Sequence, residues 1–201
     1  MDKIINLLRE SQAMLEGHFL LSSGRHSDKY FQCAKLLQYP KKAQEAFEDV
    51  VMRIKNDIIS GKLKVDLIAG PAMGGIIAAW EVTRQLSEVL QKDLKAVFTE
   101  RDENGKMCLR RGFEVLQGQN VLIVEDVVTT GKSFMECAAA LESLGANITA
   151  LTCLVDRRED GIEIKWPFYP AVKIKAGNRE AKECELCKQG IPVVKPGSRK
   201  F

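Results

Sequence analysis

No run of about 18 apolar residues occurs anywhere in the 201 residues, which removes a bilayer-spanning helix from consideration. A stripe of one charge is also missing. Lys and Arg number 30 against 27 Asp and Glu, and the two signs are interleaved, so little is offered to a nucleic-acid backbone. The one basic cluster, Lys195 to Lys200, reads as a solvated end. Histidine is scarce, with two in the chain, and aromatics make up 6%. The six cysteines are scattered, and a chain of this length needs no disulfide frame, so reduced thiols are expected. Met1 to Arg9 carries Asp2, Lys3 and Arg9 and lacks the apolar centre of a secretory leader, which makes the cytosol the expected compartment. What remains, 45% hydrophobic and 28% charged residues, is ordinary for one main globular domain with small additions.

The apolar pattern divides that domain. Ile4, Ile5, Leu7, Leu8, Met14 and Leu15 recur at helical spacing and predict an amphipathic helix ending near Gly17. Phe19-Leu20-Leu21 and Tyr30-Phe31 flank a turn-rich stretch and predict two short strands forming a hood over a site. Pro40 opens a second helix to about Ser60, with Phe47, Val50, Val51, Ile54 and Ile58 on one side. Strands and helices then alternate. Strands are expected at Val65–Ala69, Leu94–Thr99, Val121–Val124 and Ile148–Val155, with helices at Ile76–Leu90 and Ser133–Leu144 and a short extended piece at Phe113-Glu114-Val115. Such alternation predicts an α/β fold with a central parallel sheet covered by helices on both faces. Loops at the carboxyl ends of its strands, Gly70–Gly75, Glu100–Lys106, Glu125–Ser133 and Asp156–Gly161, then gather on one edge, where open α/β sheets bind ligands. Residues 1–39 are expected to form the helix and hood, 40–175 the core, and 176–201 an extension that joins the hood.

The segment Val121-Leu122-Ile123-Val124-Glu125-Asp126-Val127-Val128-Thr129-Thr130-Gly131-Lys132-Ser133 carries the strongest chemistry. A buried strand delivers two adjacent carboxylates to its exposed end, and the next turn supplies backbone N–H groups and hydroxyls at a helix start. The carboxylates suit a diol or a hydrated cation; the turn suits an anion. The plainer alternative is an acidic helix cap facing solvent. A nucleotide-triphosphate loop is excluded, because Asp126 stands where its first glycine is required, and no Gly-x-Gly-x-x-Gly turn follows an early strand. Gly70-Pro71-Ala72-Met73-Gly74-Gly75 allows close backbone approach before a helix start, or simply a tight strand-to-helix turn.

The acidic segment resembles the phosphoribosyl pyrophosphate signature of the type I phosphoribosyltransferases. The resemblance implies that Glu125 and Asp126 bind the ribose 2- and 3-hydroxyls and that Val127, Val128, Thr129, Thr130, Gly131, Lys132 and Ser133 wrap the 5-phosphate. It also implies that Ala72, Met73 and Gly74 cradle pyrophosphate. Phe19 to Phe31 resembles the hood motif of orotate phosphoribosyltransferases, and Leu154 to Gly161 their base-side segment. By that resemblance Tyr30 and Phe31 line the base and Arg157 meets the orotate carboxylate, a bidentate pairing that adenine does not offer. The alternative for Arg157 is an ion pair with Asp156 or Glu159. Arg101 and Lys106, on a mobile loop, would reach the departing pyrophosphate, across the interface of a homodimer. The alternative is a charged, solvent-facing hairpin. Magnesium, held mainly through substrate oxygens and water, is the implied cofactor; orotate and phosphoribosyl pyrophosphate are the implied small-molecule partners. Transfer to adenine or xanthine, or a regulatory protein that kept the site without catalysis, are the other readings.

The chain departs from the orotate pattern in two places. Ser22 stands where many such enzymes carry a lysine, and the loop Thr99–Lys106 is short and lacks a histidine. His18 and His26 read as structural or exposed rather than as a general base. Cys184-Glu185-Leu186-Cys187 has the spacing of half a metal knuckle or of a redox pair. No second pair follows and no histidine is near in sequence, so structural thiols and no protein-held metal are expected, with a partner subunit as the other source of ligands. Lys188 to Gly197 reads as an extended closing segment.

Overall fold

The computed structural model describes residues 2–21 and 23–196. Ser22, Met1 and the residues after 196 lie outside the described residues, and with them the missing hood lysine and most of the basic tail. In chain order the elements are α1 (Asp2–Glu10), β1 (Met14–Leu20), β2 (His26–Phe31), α2 (Ala34–Leu37), α3 (Pro40–Ile59), β3 (Leu67–Pro71) and α4 (Gly74–Leu90). They continue with β4 (Lys95–Arg101), β5 (Met107–Leu109), β6 (Asn120–Val128), α5 (Lys132–Glu142), β7 (Asn147–Asp156), β8 (Phe168–Lys173), a 3₁₀ turn (Ala181–Glu183) and α6 (Glu185–Lys188). Among the described residues no helix is long and apolar enough to cross a membrane.

The main sheet has the order β5-β4-β3-β6-β7-β8. All neighbours run parallel except β5, which returns antiparallel to β4. Strand β6 shows why helices cover both faces. Its side chains alternate, so Leu122 and Val124 enter the core shared with α1, α3 and α4, while Val121 and Ile123 enter the core shared with α5. All four are fully buried, each contributing roughly 1.5–3 kcal/mol relative to exposure. The helix expected from Pro40 is present, with Phe47, Val50, Val51 and Ile54 on its buried side.

The structure differs from the sequence expectations in four places. The first helix stops at Glu10 rather than near Gly17, because Gln12 turns left-handed (φ 54°) and the Ala13 N–H bonds back to the Leu8 carbonyl at 2.8 Å. Met14 and Leu15 therefore begin a strand, paired with Phe31 and Tyr30 of β2. Secondly, a return strand that was not expected, β5, precedes the piece at 113–115, which pairs with no strand. Thirdly, the open loop Glu100–Lys106 is a tight hairpin: Glu100 and Arg101 pair with Cys108 and Met107. One Asp102 carboxylate oxygen accepts from the Asn104 and Lys106 amides at 2.9 and 2.8 Å. Finally, β8 was hidden by Pro167 and Pro170; as an edge strand it tolerates a residue without an N–H.

The turn from β3 into α4 is held by backbone packing. A Cβ added to Gly70 would lie 2.3 Å from the Gly75 carbonyl oxygen and 2.7 Å from its carbon, with no flexible side chain to yield. Gly70→Ala is expected to lower stability by about 1–3 kcal/mol through this overpacking. Urea unfolding checks it, and a midpoint equal to wild type would show that the turn has room to relax.

Candidate active site

The carboxyl end of β6 lies between the two central turns of the sheet. Glu125 is buried, with 7% of its surface exposed, and Asp126 is half-buried. The main chain folds over their side chains: Asp126 N–H donates to Glu125 Oε1 at 3.1 Å and Val127 N–H to Asp126 Oδ1 at 2.8 Å. The β3–α4 turn presses on the same pair. A Cβ on Gly74 would sit 2.3 Å from Asp126 Oδ2, and one on Gly75 would sit 3.0 Å from the Val124 carbonyl and 3.2 Å from Glu125 Oε1. The Ala72–Met73 peptide between them is cis, and the Met73 side chain is exposed. Two glycines thus let a backbone loop lie against two carboxylates. That is more specific than an acidic cap in solvent.

After the pair, Thr129 and Thr130 are exposed, and Gly131 (φ 76°) reverses the chain into α5. The hydroxyl of Thr130 accepts from the Lys132 amide at 3.3 Å. The first-turn N–H groups of α5 therefore face the turn rather than intrahelical carbonyls, as an anion requires. Lys132 is exposed and lies 3.8 Å from Glu136 one turn on.

At the end of β7 two neighbouring arginines are sorted. Arg158 takes Asp156 in a bidentate pair at 3.0 and 3.1 Å and stacks on Phe168. Glu159 accepts from Asn178. Both acids that could have neutralised Arg157 are thereby engaged, and no ion pair of Arg157 occurs among the described residues. Its guanidinium lies 4.8 Å from the Phe31 ring centroid, and its buried Nε has no hydrogen-bond partner. Burial lowers the Arg157 pKa, and the charge of Asp28 opposes the shift. A half-buried cation with an unspent donor has the chemistry to pair with an anion.

Phe31 joins Arg157, but Tyr30 does not. Adjacent strand residues project to opposite faces, and the Tyr30 ring lies 5.9 Å from Phe19, with its hydroxyl donating to Gln32. Arg101 is exposed, donates to the Gly105 carbonyl at 2.6 Å and pairs with Glu136 on α5. Lys106 is exposed on the same hairpin. Sequence reasoning missed two features. The side chain of Asp28 accepts from the Gly177 amide, tying the closing segment to the hood. His18 and His26 meet Cys184 and Cys187, residues more than 150 positions away, a proximity with no local signal.

Burial, and secondly the adjoining Asp126 carboxylate, push Glu125 from 4.5 up to about 9; burial raises Asp126 also. Between those two values the folded chain holds a proton on Glu125 that the unfolded chain has released. Stability therefore falls as pH rises through that window. Glu125→Gln removes the dependence. Its unfolding free energy relative to wild type should gain on the order of 1–3 kcal/mol between pH 5 and pH 8, measured by urea denaturation. Parallel curves for the two proteins would show that Glu125 is ionised in the folded state.

Comparison with known proteins agrees with this geometry. The family model of the phosphoribosyl transferase domain matches residues 42–183. The chain is 44% identical over 200 residues to an orotate phosphoribosyltransferase of a Thermoanaerobacter species, covering 100% of this chain and 98% of that protein. Among solved structures, the orotate phosphoribosyltransferase of Aeropyrum pernix superposes with a TM-score of 0.60 at 24% identity, over 96% of this chain and 91% of that one. An adenine phosphoribosyltransferase of Thermoanaerobacter pseudethanolicus gives 0.56 at 20% identity, over 73% and 88%. These two likenesses show a fold shared by proteins named for different bases. The domain match and the full-length identity go further: the chain belongs to the phosphoribosyl transferase family, among its orotate phosphoribosyltransferases.

Proposed function

We propose that the chain joins orotate to ribose 5-phosphate, forming orotidine 5-phosphate and pyrophosphate from orotate and phosphoribosyl pyrophosphate. The observation that carries the choice of base is Arg157, stacked on Phe31 with its neighbouring acids engaged elsewhere. Orotate brings a carboxylate to such a guanidinium; adenine brings none.

The transfer forms a bond from N1 of orotate to the anomeric carbon as the carbon–oxygen bond to pyrophosphate breaks, and the N1 proton leaves. No covalent intermediate with the protein is needed, so the residues position groups and stabilise charge. Glu125 and Asp126 hydrogen-bond the ribose hydroxyls, and Asp126 faces the cationic character that develops on the ring. Val127 to Ser133 hold the 5-phosphate on backbone N–H groups, and Ala72, Met73 and Gly74 receive the pyrophosphate. Hard carboxylate oxygens beside an anion turn fit magnesium held mainly through substrate oxygens and water, with Asp126 and Glu125 nearest; when bound, it offsets the charge of the pyrophosphate. Within this scheme residues 1–39 and 176–201 make the hood and 40–175 the core. A cytosolic setting belongs to the same proposal, in keeping with six free cysteines.

A homodimer with Arg101 and Lys106 reaching a neighbouring site completes the proposal. Met73, Ile77 and Trp80 share one side of the α4 start and are 81%, 45% and 58% exposed, an apolar stripe beside the pyrophosphate turn that suits a second copy. In the free chain Glu136 neutralises Arg101, a pairing that a more highly charged pyrophosphate can displace.

Assays of the protein and of three variants test this. With phosphoribosyl pyrophosphate and magnesium, the purified protein should convert orotate but not adenine or xanthine. Arg157→Ala should raise the KM for orotate about 10- to 100-fold, the value of a hydrogen-bonded charge pair, with little change for phosphoribosyl pyrophosphate; equal losses for both would remove its role in base choice. Arg101→Ala should lower kcat by about 10²-fold, as for loss of one transition-state donor. Mixed with Asp126→Asn subunits, it should regain activity in verified heterodimers. No recovery would place the arginine in its own subunit's site.

A further inference from the structure

We propose that His18, His26, Cys184 and Cys187 form a structural zinc site that fastens the closing segment of the chain to the hood. The inference stands on residues outside the phosphoribosyl site and does not depend on the base assigned to it.

The four side chains come from three separate places: His18 on β1, His26 on β2, and the two cysteines at the single turn of α6, Cys184 capping it and Cys187 within it. One ligand atom from each lies within 4.8 Å of all the others. Cys184 Sγ is 3.5 Å and Cys187 Sγ 3.7 Å from His18 Nε2, and Cys187 Sγ is 3.3 Å from His26 Nδ1. A tetrahedral zinc ion, with Zn–N of about 2.0–2.1 Å and Zn–S of about 2.3 Å, sets nitrogen-to-sulfur edges of about 3.5 Å. These three nitrogen-to-sulfur distances therefore already suit the ion. The two imidazole nitrogens, 2.7 Å apart, would separate by about 0.6 Å to reach a tetrahedral edge.

Orientation supports the same assignment. His18 Nδ1 lies 2.7 Å from the Ile191 carbonyl, which can only accept, so Nδ1 carries the proton and Nε2 turns its lone pair toward the cysteines. A carbonyl behind a ligating imidazole is the usual means of setting its tautomer and raising its basicity. The main chain holds the ligands in register as well. His26 and Arg179 exchange two backbone hydrogen bonds at 2.8 and 3.0 Å, and the Val194 amide donates to the His18 carbonyl at 2.8 Å.

Ligand chemistry selects the ion. Two thiolates and two imidazoles in tetrahedral reach favour zinc over magnesium or calcium, which take oxygen ligands. Four protein ligands leave no open position for substrate, so the role is structural. His18, His26 and Cys184 are buried, as a closed site requires. A redox pair would need the two cysteines alone, and gives no reason for two imidazoles from the hood strands to converge on them.

Protein produced with zinc in the medium should carry one zinc per chain by elemental mass spectrometry after dialysis against a weak chelator. Cobalt-substituted wild-type protein should show thiolate-to-cobalt charge transfer and the intense visible bands of a tetrahedral site. Cys184→Ser/Cys187→Ser should bind zinc at least about 10²-fold more weakly than wild type in competition with a colorimetric chelator. The cobalt spectrum is read on wild-type protein, so poor folding of the variant leaves a decisive measurement. Hydrogen exchange of residues 177–194 in wild-type protein should accelerate when a strong chelator removes the metal. Reduced wild-type protein that binds zinc no tighter than the double variant, or substoichiometric zinc with an octahedral cobalt spectrum, would overturn the site. A Cys184–Cys187 disulfide in protein isolated under thiol-blocking conditions would overturn it as well.

Discussion

The close approach of Gly74 and Gly75 to the carboxylates of Asp126 and Glu125 is the contact on which the rest of the site depends. It joins the two central parallel strands, β3 and β6, at the end where their turns emerge. Neither turn could hold this geometry alone, since a side chain at Gly74 would occupy the space of the Asp126 carboxylate. The contact also excludes water from Glu125, which is why that carboxyl holds its proton to about 9. Burial here costs stability at neutral pH; under the proposed function the same two side chains meet the ribose diol, a division of interests common to active sites.

Around this pair the charges are arranged by sign and by partner. Arg158, Arg111 and Arg84 are consumed in ion pairs with Asp156, Glu100 and Glu81. Only the Arg111 pair lies near the surface, where a pair contributes little to stability; the other two bury their acids, and each fixes a side chain. Arg157 differs in having no ion pair among the described residues, with its buried Nε left without a hydrogen-bond partner. Leaving a cation so is unfavourable in the free protein, and under the proposed function an anion of matching shape would recover that cost. The exposed Thr129–Thr130 turn offers the complementary neutral arrangement of backbone donors at a helix start.

The closing segment links this chemistry to the periphery. Asn178 accepts from and is capped by Arg25, Gly177 reaches Asp28, and Asp28 lies close enough to influence Arg157. The histidine and cysteine cluster lies at the far end of the same segment. A metal there would therefore set the order of residues that border the base side, without touching substrate.

Periodicity made much of the fold legible. The α3 helix with Phe47, Val50, Val51 and Ile54 inward and the β6 run Val121–Val124 are local patterns with one physical solution, and the acid pair followed by Thr129-Thr130-Gly131 is contiguous. The resemblance of these segments to phosphoribosyltransferases was accordingly readable from the chain. What spacing alone did not hold was decided by contacts between distant residues. Met14 and Leu15 fit a helix until β2 supplied a strand partner, and Pro170 concealed β8 until the sheet offered an edge. Arg157 and Arg158 are adjacent and chemically equal, and only the position of Asp156 and Phe31 in space distinguishes them. Cys184 and Cys187 announced half a site by their spacing, while its histidines arrive through the pairing of β1 with β2 and the docking of residues 177–194. Local propensity and periodicity are properties of neighbouring residues, so sequence alone determines elements and contiguous motifs; which side chains meet depends on non-local packing that only the folded chain supplies.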